Sequence, residues 1–305
     1  MYLNKTGLVR VLVLAITLVW LAGCTERPAT TSPEAVSTSS KFTMVTSFYP
    51  MYIMALNIAD NIPGVEVINL ASPQTGCLHD YQLSPENLLT LEKADVLIVN
   101  GAGMESFLDK VVEQQPDLKV IEASEGIPLI KNSTTQEDNP HVWVSVHYAI
   151  QEVKNITRQL SLADPEHSQK YQSNASKYIK KLEILAEKMH RELAGVSNRN
   201  IVTFHEAFPY FAREYNLNIV AVVEREPGSE PSASELAEIV DTVKRSKAQA
   251  IFAEPQYSSG AAETIARETG IKVYYLDPAV SGPDSPDAYI KIMETNLATL
   301  KGALK

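Results

Sequence analysis

The stretch DPEHSQKYQSNASKYIKKLEILAEKMHREL, residues 164–193, has no glycine, and its only proline is its second residue. Apolar side chains recur along it at steps of three and four, as at Tyr171, Tyr178, Leu182 and Met189. That spacing predicts one helix with an apolar face and a charged face. At 1.5 Å per residue, about 28 residues would extend about 42 Å, too long for an ordinary crossover between strands. We therefore expect a helical rod that joins two lobes.

Four strand-and-helix pairs are predicted on the amino-terminal side of this rod. The predicted strands cover residues 42–48, 65–70, 95–100 and 118–123, and the predicted helices cover 51–60, 84–94, 104–115 and 145–162. Ser84 and Pro85 favour a helix start, because serine is a good N-cap and proline a good first helical residue. The apolar run before Gly101 is typical of a buried parallel strand. The repeated pairs predict a parallel, doubly wound sheet.

The same alternation resumes after Gly195. The predicted strands cover 200–204, 219–223, 250–254 and 273–277, and the predicted helices cover 206–215, 234–246 with Ser234 as its cap, 258–269 and 286 onward. The predicted fold class is therefore α/β, with two similar parallel-sheet lobes joined by one long rigid backbone helix. We expect an amino-terminal lobe at 42–164, a linking helix at 165–194 and a carboxyl-terminal lobe at 195–305.

The first 41 residues precede the predicted fold. Lys5 and Arg10 make the start basic, residues 8–21 are mostly apolar, and the run ends in Leu-Ala-Gly-Cys at 21–24. This pattern predicts a secretory signal peptide at 1–23 and is too short for a comfortable membrane span. The ending resembles a bacterial lipobox, which predicts lipidation of Cys24; a plain signal peptide with a chance cysteine is the alternative. The Thr-, Ser- and Pro-rich remainder of 24–41 predicts a flexible tether.

Charge and cysteine content narrow the classes of partner. The formal net charge is −10. Removal of residues 1–23 also removes Lys5 and Arg10 and so makes the net charge −12. This balance argues against nucleic acid and is compatible with a cation as ligand. Cys24 and Cys77 are the two cysteines, so lipidation of the first leaves no internal disulfide.

Five polar or charged residues fall at the predicted ends of strands or in the loops that follow strands: His79, His141, His205, Glu254 and Asp277. The carboxyl ends of parallel strands share one edge of a sheet, where α/β proteins bind ligands. Two such edges facing across a cleft would bring side chains of both lobes together. Three imidazoles and a carboxylate suit a divalent transition metal, Zn²⁺ above all. By placement alone, solvent-exposed histidines are an equal alternative.

The chain resembles a known family through six short motifs. They are HDYQLSP at 79–85, NPHVWVS at 139–145, VTFHEAFPYF at 202–211, GSEPS at 228–232, FAEPQ at 252–256 and YLDP at 275–278. Their order and spacing resemble those of the metal-binding solute-binding lipoproteins of bacterial zinc and manganese ABC importers, the zinc-uptake/TroA-like family. The resemblance covers residues 42–305 and implies two four-stranded α/β lobes, one long backbone helix and a metal in the cleft between the lobes.

The resemblance also implies the metal ligands. These are His79 and His141 from the first lobe and His205 and Asp277 from the second. Glu254 is expected to orient a ligand imidazole or to serve as an alternative ligand, and Glu206 and Asp80 are weaker candidates for the orienting role. Cys77 lies two residues from His79, so its thiol could join the metal; a bystander thiol is the expectation, because four ligands already fill a tetrahedral site.

The identity of the metal rests on two features. An imidazole at His205, where manganese-binding members tend to carry a carboxylate, favours Zn²⁺ over Mn²⁺. Residues 127–140 contain no histidine, although many zinc-uptake members carry a histidine-rich loop there. Mn²⁺ therefore stays open as the alternative cargo.

The expected function is high-affinity binding of the ion outside the cytoplasm and its delivery to the membrane permease of an ABC importer. We expect a monomer that is anchored to the cell membrane by the lipid on Cys24, on the outer face of the cytoplasmic membrane or in a periplasm. A zinc-dependent hydrolase is a weaker alternative, since the sequence after His205 lacks the second histidine of an HExxH helix and Asp277 would close the coordination sphere. A surface adhesin is also an alternative, at the family level.

Overall fold

The computed structural model describes residues 41–72, 77–78, 81–132, 136–224 and 231–305. The predicted signal peptide, Cys24 and the tether up to residue 40 lie outside these ranges. His79 and Asp80 lie outside them too, so the description of the site begins with the other predicted residues. Within the described ranges, no helix combines the length and the apolar character that a membrane span requires.

The first sheet has four parallel strands in the order β2-β1-β3-β4. Its elements are β1 Phe42–Thr46, α1 Tyr49–Ile58, β2 Val65–Asn69, α2 Pro85–Leu91, β3 Val96–Val99, α3 Asp109–Glu113 and β4 Lys119–Glu122, with a 3-10 turn at Ser106–Leu108 before α3. Ser84 caps α2 as predicted: its hydroxyl accepts a hydrogen bond from the Asn87 N–H, and the Asn87 side chain accepts one from the Ser84 N–H.

Two long helices follow the first sheet, and a second sheet repeats the strand order of the first. A 3-10 turn at Val142–Val144 leads into α4 Val146–Ala163 and α5 Ser168–Leu193. The remaining elements are β5 Asn200–Thr203, α6 Pro209–Glu214, β6 Asn218–Val222, α7 Ala233–Ser246, β7 Ala250–Ala253, α8 Gly260–Thr269, β8 Lys272–Tyr275 and α9 Ala288–Ala303. The second sheet has the order β6-β5-β7-β8, again parallel. The predicted fold class is confirmed.

The long helix begins later than the sequence pattern predicted. Asp164 does not enter the helix, because its carboxylate accepts hydrogen bonds from the His167 ring (2.7 Å) and the Tyr171 hydroxyl (2.6 Å). These contacts hold a turn ahead of Ser168, the first residue of α5. The 26 residues of α5 extend about 39 Å.

Three other predicted boundaries were wrong for similarly local reasons. Ser232, and not Ser234, caps α7. The Ser232 hydroxyl accepts a hydrogen bond from the Glu235 N–H, and the Glu235 carboxylate accepts one from the Ser232 N–H. The helix predicted over 104–115 is a 3-10 turn followed by the five-residue α3. The Glu105 carboxylate turns back to accept bonds from the backbone N–H groups of Asn100 and Gly101, which delays the helix. The helix predicted from 206 begins at Pro209, a favoured first residue.

One hydrophobic core runs through both halves of the fold. It includes Met44 and Ile98 from the first sheet, Ile201 and Phe252 from the second, and the apolar face of α5 at Tyr178 and Leu182. Hydrogen bonds cross between the halves as well: the Tyr49 hydroxyl and the Asn57 amide donate to the carbonyl oxygens of Pro283 and Pro286, both at 2.8 Å. The long helix packs against α1 and α4 of the first half and α9 of the second, within a core that both halves share, and so does not bridge open space.

Candidate metal centre

His141 is held by the loop that precedes α4. It is 2% exposed. The Asn139 side-chain oxygen accepts hydrogen bonds from the His141 N–H (3.0 Å) and from Nδ1 of the ring (3.1 Å). The Asn139 amide nitrogen donates to the carbonyl of Glu206, which fixes which end of the amide faces the imidazole. Because the acceptor sits at Nδ1, Nδ1 carries the proton and Nε2 presents its lone pair to the cleft.

His205 lies just past the end of β5 and is fully buried. Its Nδ1 lies 2.5 Å from Oε1 of Glu254, a carboxylate at the end of β7 that is itself fully buried. The carboxylate accepts the Nδ1 proton, so Nε2 of His205 also faces the cleft as a potential ligand. The other carboxylate oxygen of Glu254 has no hydrogen-bond partner among the described residues, so negative charge is concentrated behind this imidazole.

Electrostatics show that this position attracts a positive charge. Burial lowers the pKa of the His205 imidazole, but the Glu254 carboxylate and the Cys77 sulfur outweigh burial and raise that pKa well above its usual value. A proton and a metal ion compete for the same lone pair. The negative charge that raises this pKa also favours a divalent cation at Nε2, once the proton there has been displaced.

The two imidazoles and a thiol converge on one small volume. Nε2 of His141 and Nε2 of His205 are 3.4 Å apart, and Sγ of Cys77 lies 3.8 Å from the first and 3.6 Å from the second. Within the described part of the chain, these three residues form the group of metal-ligating side chains whose ligand atoms lie within 4.8 Å of one another. If both imidazoles are neutral, the lone pairs of the two Nε2 atoms point at each other and repel. A cation bound between them would remove that repulsion.

Asp277 lies outside this group. One of its carboxylate oxygens accepts hydrogen bonds from the Gln256 amide (2.9 Å) and the Ala279 N–H (2.8 Å). Burial raises the pKa of Asp277, and these two hydrogen bonds partly offset that effect. Its role as a ligand stays a prediction, as does that of His79.

The two candidate orienting carboxylates occupy different places. Glu254 contacts the His205 ring directly. Glu206 instead accepts a hydrogen bond from the Asn132 amide, and its backbone carbonyl accepts from Asn139, the partner of His141. Glu206 therefore supports the loop that carries His141, and Glu254 orients the His205 imidazole.

Cys77 was expected to be a bystander and Tyr257 was not among the candidates, yet both lie beside the His205 imidazole. The Cys77 N–H donates to the Tyr257 hydroxyl at 3.0 Å, and the Tyr257 ring lies edge-on to the His205 ring with centroids 6.0 Å apart. Neither contact has a signature in the sequence, beyond the closeness of Cys77 to His79.

A two-lobed α/β fold that brings two buried imidazoles and a thiol together is the arrangement of a metal-binding solute-binding protein. Residues 44–303 match the family described as zinc-uptake complex component A, periplasmic (ZnuA), and the chain belongs to that family. The family assignment made from the motifs is confirmed.

Relatives of the chain are named as zinc-binding proteins. The high-affinity zinc uptake system protein ZnuA of Bacillus subtilis (strain 168) is 31% identical over 312 residues, covering 96% of each chain. The zinc-binding lipoprotein AdcA of Streptococcus pneumoniae serotype 4 is 30% identical over 280 residues, covering 86% of this chain and 55% of AdcA. The chain therefore spans about half the length of AdcA and nearly all of ZnuA.

Solved structures share the fold. A mutant of the laminin-binding adhesin Lmb from Streptococcus agalactiae has a TM-score of 0.79 and 28% identity, covering 87% of this chain and all of Lmb. The solute-binding protein FpvC of Pseudomonas aeruginosa, solved with Mn²⁺, has a TM-score of 0.78 and 30% identity, covering 87% of this chain and 98% of FpvC.

Proposed function

We propose that this protein captures one Zn²⁺ ion in its cleft, outside the cytoplasm, and delivers it to the permease of an ABC importer. The observation that carries the proposal is the approach of two buried Nε2 atoms to 3.4 Å, from residues at different sheets. Each imidazole has an acceptor at Nδ1, which leaves Nε2 as the coordinating atom. The names of the relatives agree with zinc as the cargo.

Mn²⁺ is the alternative cargo, and the FpvC complex with Mn²⁺ supports keeping it. The donor set argues against it, since imidazole suits Zn²⁺ and oxygen-rich sets suit Mn²⁺. Adhesion is a second alternative, and it rests on the likeness to Lmb. We assign no catalytic activity, because predicted ligands from both lobes would fill a tetrahedral site and leave no position for an activated water.

Delivery rests on the lipid anchor and on the long helix. We propose that the lipid on Cys24 holds a monomer at the membrane and that the permease reads the metal-loaded form. Because α5 packs in one core with both sheets, we expect a small closure on metal binding and not a wide hinge motion.

Competition titration of the metal-free protein with Zn²⁺ and Mn²⁺ tests the proposal. His141→Ala and His205→Ala should each lower Zn²⁺ affinity by at least about 100-fold, since each removes a metal ligand. His147→Ala is the matched control, because His147 is exposed on α4 and should leave affinity unchanged. Unchanged affinity in both cleft variants, or tighter binding of Mn²⁺ than of Zn²⁺ by the parent protein, would refute the assignment.

A further inference from the structure

We propose that Cys77 is a metal ligand, so that the cleft holds its ion through two imidazole nitrogens and one thiolate sulfur. This inference rests on the proposed function, because it places a sulfur ligand in the same site, in a position predicted from the sequence for His79 or Asp277. It replaces the expectation that the Cys77 thiol is a bystander, and it narrows the cargo to cations that bind sulfur well.

The three atoms already have the spacing of a coordination face. Zinc binds imidazole nitrogen at about 2.0–2.1 Å and thiolate sulfur at about 2.3 Å, usually in a tetrahedron. Tetrahedral angles then place two nitrogens about 3.3–3.4 Å apart and a nitrogen about 3.6 Å from a sulfur. The observed separations are 3.4 Å between the imidazoles of His141 and His205, and 3.6 and 3.8 Å from these to Cys77 Sγ. One ion fits between these atoms with little movement.

Neighbouring contacts fix the position of the thiol. Leu78, the next residue, is fully buried in the common core, and its carbonyl accepts a hydrogen bond from the Tyr81 N–H at 2.9 Å. On the other side, the Cys77 N–H donates to the hydroxyl of Tyr257, which follows β7 in the second half of the fold. The backbone of Cys77 is thus tied both to its own lobe and to the opposite one, with Sγ turned toward the imidazoles.

A sulfur ligand changes which ion the site prefers. Thiolate favours Zn²⁺ and other soft or borderline cations, whereas carboxylate, carbonyl and water favour Mn²⁺. Binding replaces the S–H bond by a sulfur–metal bond and releases the proton to solvent, with no change of oxidation state. His79 or Asp277 would supply the fourth ligand. Residues 127–140 contain no histidine that could favour zinc, so the thiol of Cys77 provides the selectivity for Zn²⁺.

Cobalt substitution tests the sulfur–metal bond directly. Co²⁺ reports a thiolate ligand through an intense charge-transfer absorption in the near ultraviolet. The full chain, purified in detergent, should show this band with Co²⁺, and Cys77→Ser and Cys77→Ala should abolish it. Cys24→Ser is the matched control, since Cys24 is the only other cysteine, and it should keep the band.

Affinity measurements complete the test and separate it from the proposed function. Cys77→Ala should lower Zn²⁺ affinity by about 100-fold and Mn²⁺ affinity by less than threefold, with circular dichroism of the metal-free variant unchanged. A parent protein without the band, or a Cys77→Ala variant with parental Zn²⁺ affinity, overturns the role of Cys77. If His141→Ala and His205→Ala still lose Zn²⁺ binding in that case, the proposed function stands; if they bind normally, both fail.

Discussion

Replacing Glu254 by glutamine would measure how much the buried carboxylate strengthens the metal site. Its Oε1 lies 2.5 Å from Nδ1 of His205, and both side chains are fully buried, so solvent screens the pair little. Glutamine keeps the shape and an acceptor oxygen but removes the charge. The substitution therefore changes the electrostatics of the ligand and leaves its tautomer in place.

The magnitude follows from the kind of hydrogen bond that is lost. A bond to a charged group contributes about 1.5–3 kcal/mol, and a neutral bond about 0.5–1.5 kcal/mol. The difference, roughly 1–2 kcal/mol, corresponds to about a tenfold loss of affinity. Glu254→Leu, which removes the acceptor altogether, should cost more than Glu254→Gln.

Chelator competition at neutral pH is the assay, with Glu206→Gln as the comparison. Among the described residues, the Glu206 carboxylate accepts a hydrogen bond from the Asn132 amide and the Glu254 carboxylate accepts one from an imidazole, so Glu206→Gln should lower Zn²⁺ affinity less than Glu254→Gln does. Parental affinity in Glu254→Gln, or a larger loss in Glu206→Gln than in Glu254→Gln, would show that the wrong carboxylate has been assigned to the orienting role.

Two further predictions concern stability. Glu152 on α4 is fully buried, and neither of its carboxylate oxygens has a hydrogen-bond partner among the described residues. Burial, and then the neighbouring Glu105, raise the pKa of Glu152 well above the usual 4.5 of a glutamate. The unfolded state therefore releases this proton first, and stability falls as pH rises above about 4.5. Glu152→Gln should therefore raise the free energy of unfolding in urea at pH 7, by up to about 1.4 kcal/mol for each pH unit above 4.5, but not at pH 4; an equal gain at both would contradict this. Saturating Zn²⁺ at about 100 times Kd should stabilise the protein by about 2.7 kcal/mol in thermal unfolding, and His205→Ala should abolish most of that gain; full stabilisation of His205→Ala would place the ion elsewhere.

The fold could be predicted from sequence because its signals are local. Strand-helix alternation and the apolar stripe at Tyr178 and Leu182 need only neighbouring residues to be recognised. The predicted helix boundaries were wrong where a side chain could form hydrogen bonds with more than one nearby group. Asp164 binds Tyr171 and holds a turn, and Ser232 forms the capping box that Ser234 was expected to provide. Such choices depend on distances of a few tenths of an ångström, which a pattern of residue types does not contain.

The candidate site divides in the same way. Their placement beyond strands made His141 and His205 candidates, and the resemblance of their motifs to the family made them predicted ligands. Cys77 was expected to be a bystander because four other predicted ligands already fill a tetrahedral site, and its contact with Tyr257 joins residues 180 positions apart in the sequence. No periodicity or spacing reports that contact, and only the folded chain brings the thiol to the imidazoles.

The hydrogen bonds around the ligands indicate how the ion would be released. The loop that carries His141 is bound to the second half of the fold: Tyr210 donates to the Asn139 carbonyl (2.7 Å), and the Trp143 indole donates to the Pro278 carbonyl (2.8 Å). His141 should therefore move together with His205 when the lobes separate, although it belongs to the first lobe in the sequence. Cys77 is joined to that half through the Tyr257 hydroxyl. Separation of the lobes should thus break the Tyr257 contact and withdraw the thiol first, leaving a site with one ligand fewer that holds Zn²⁺ less tightly and can pass it on.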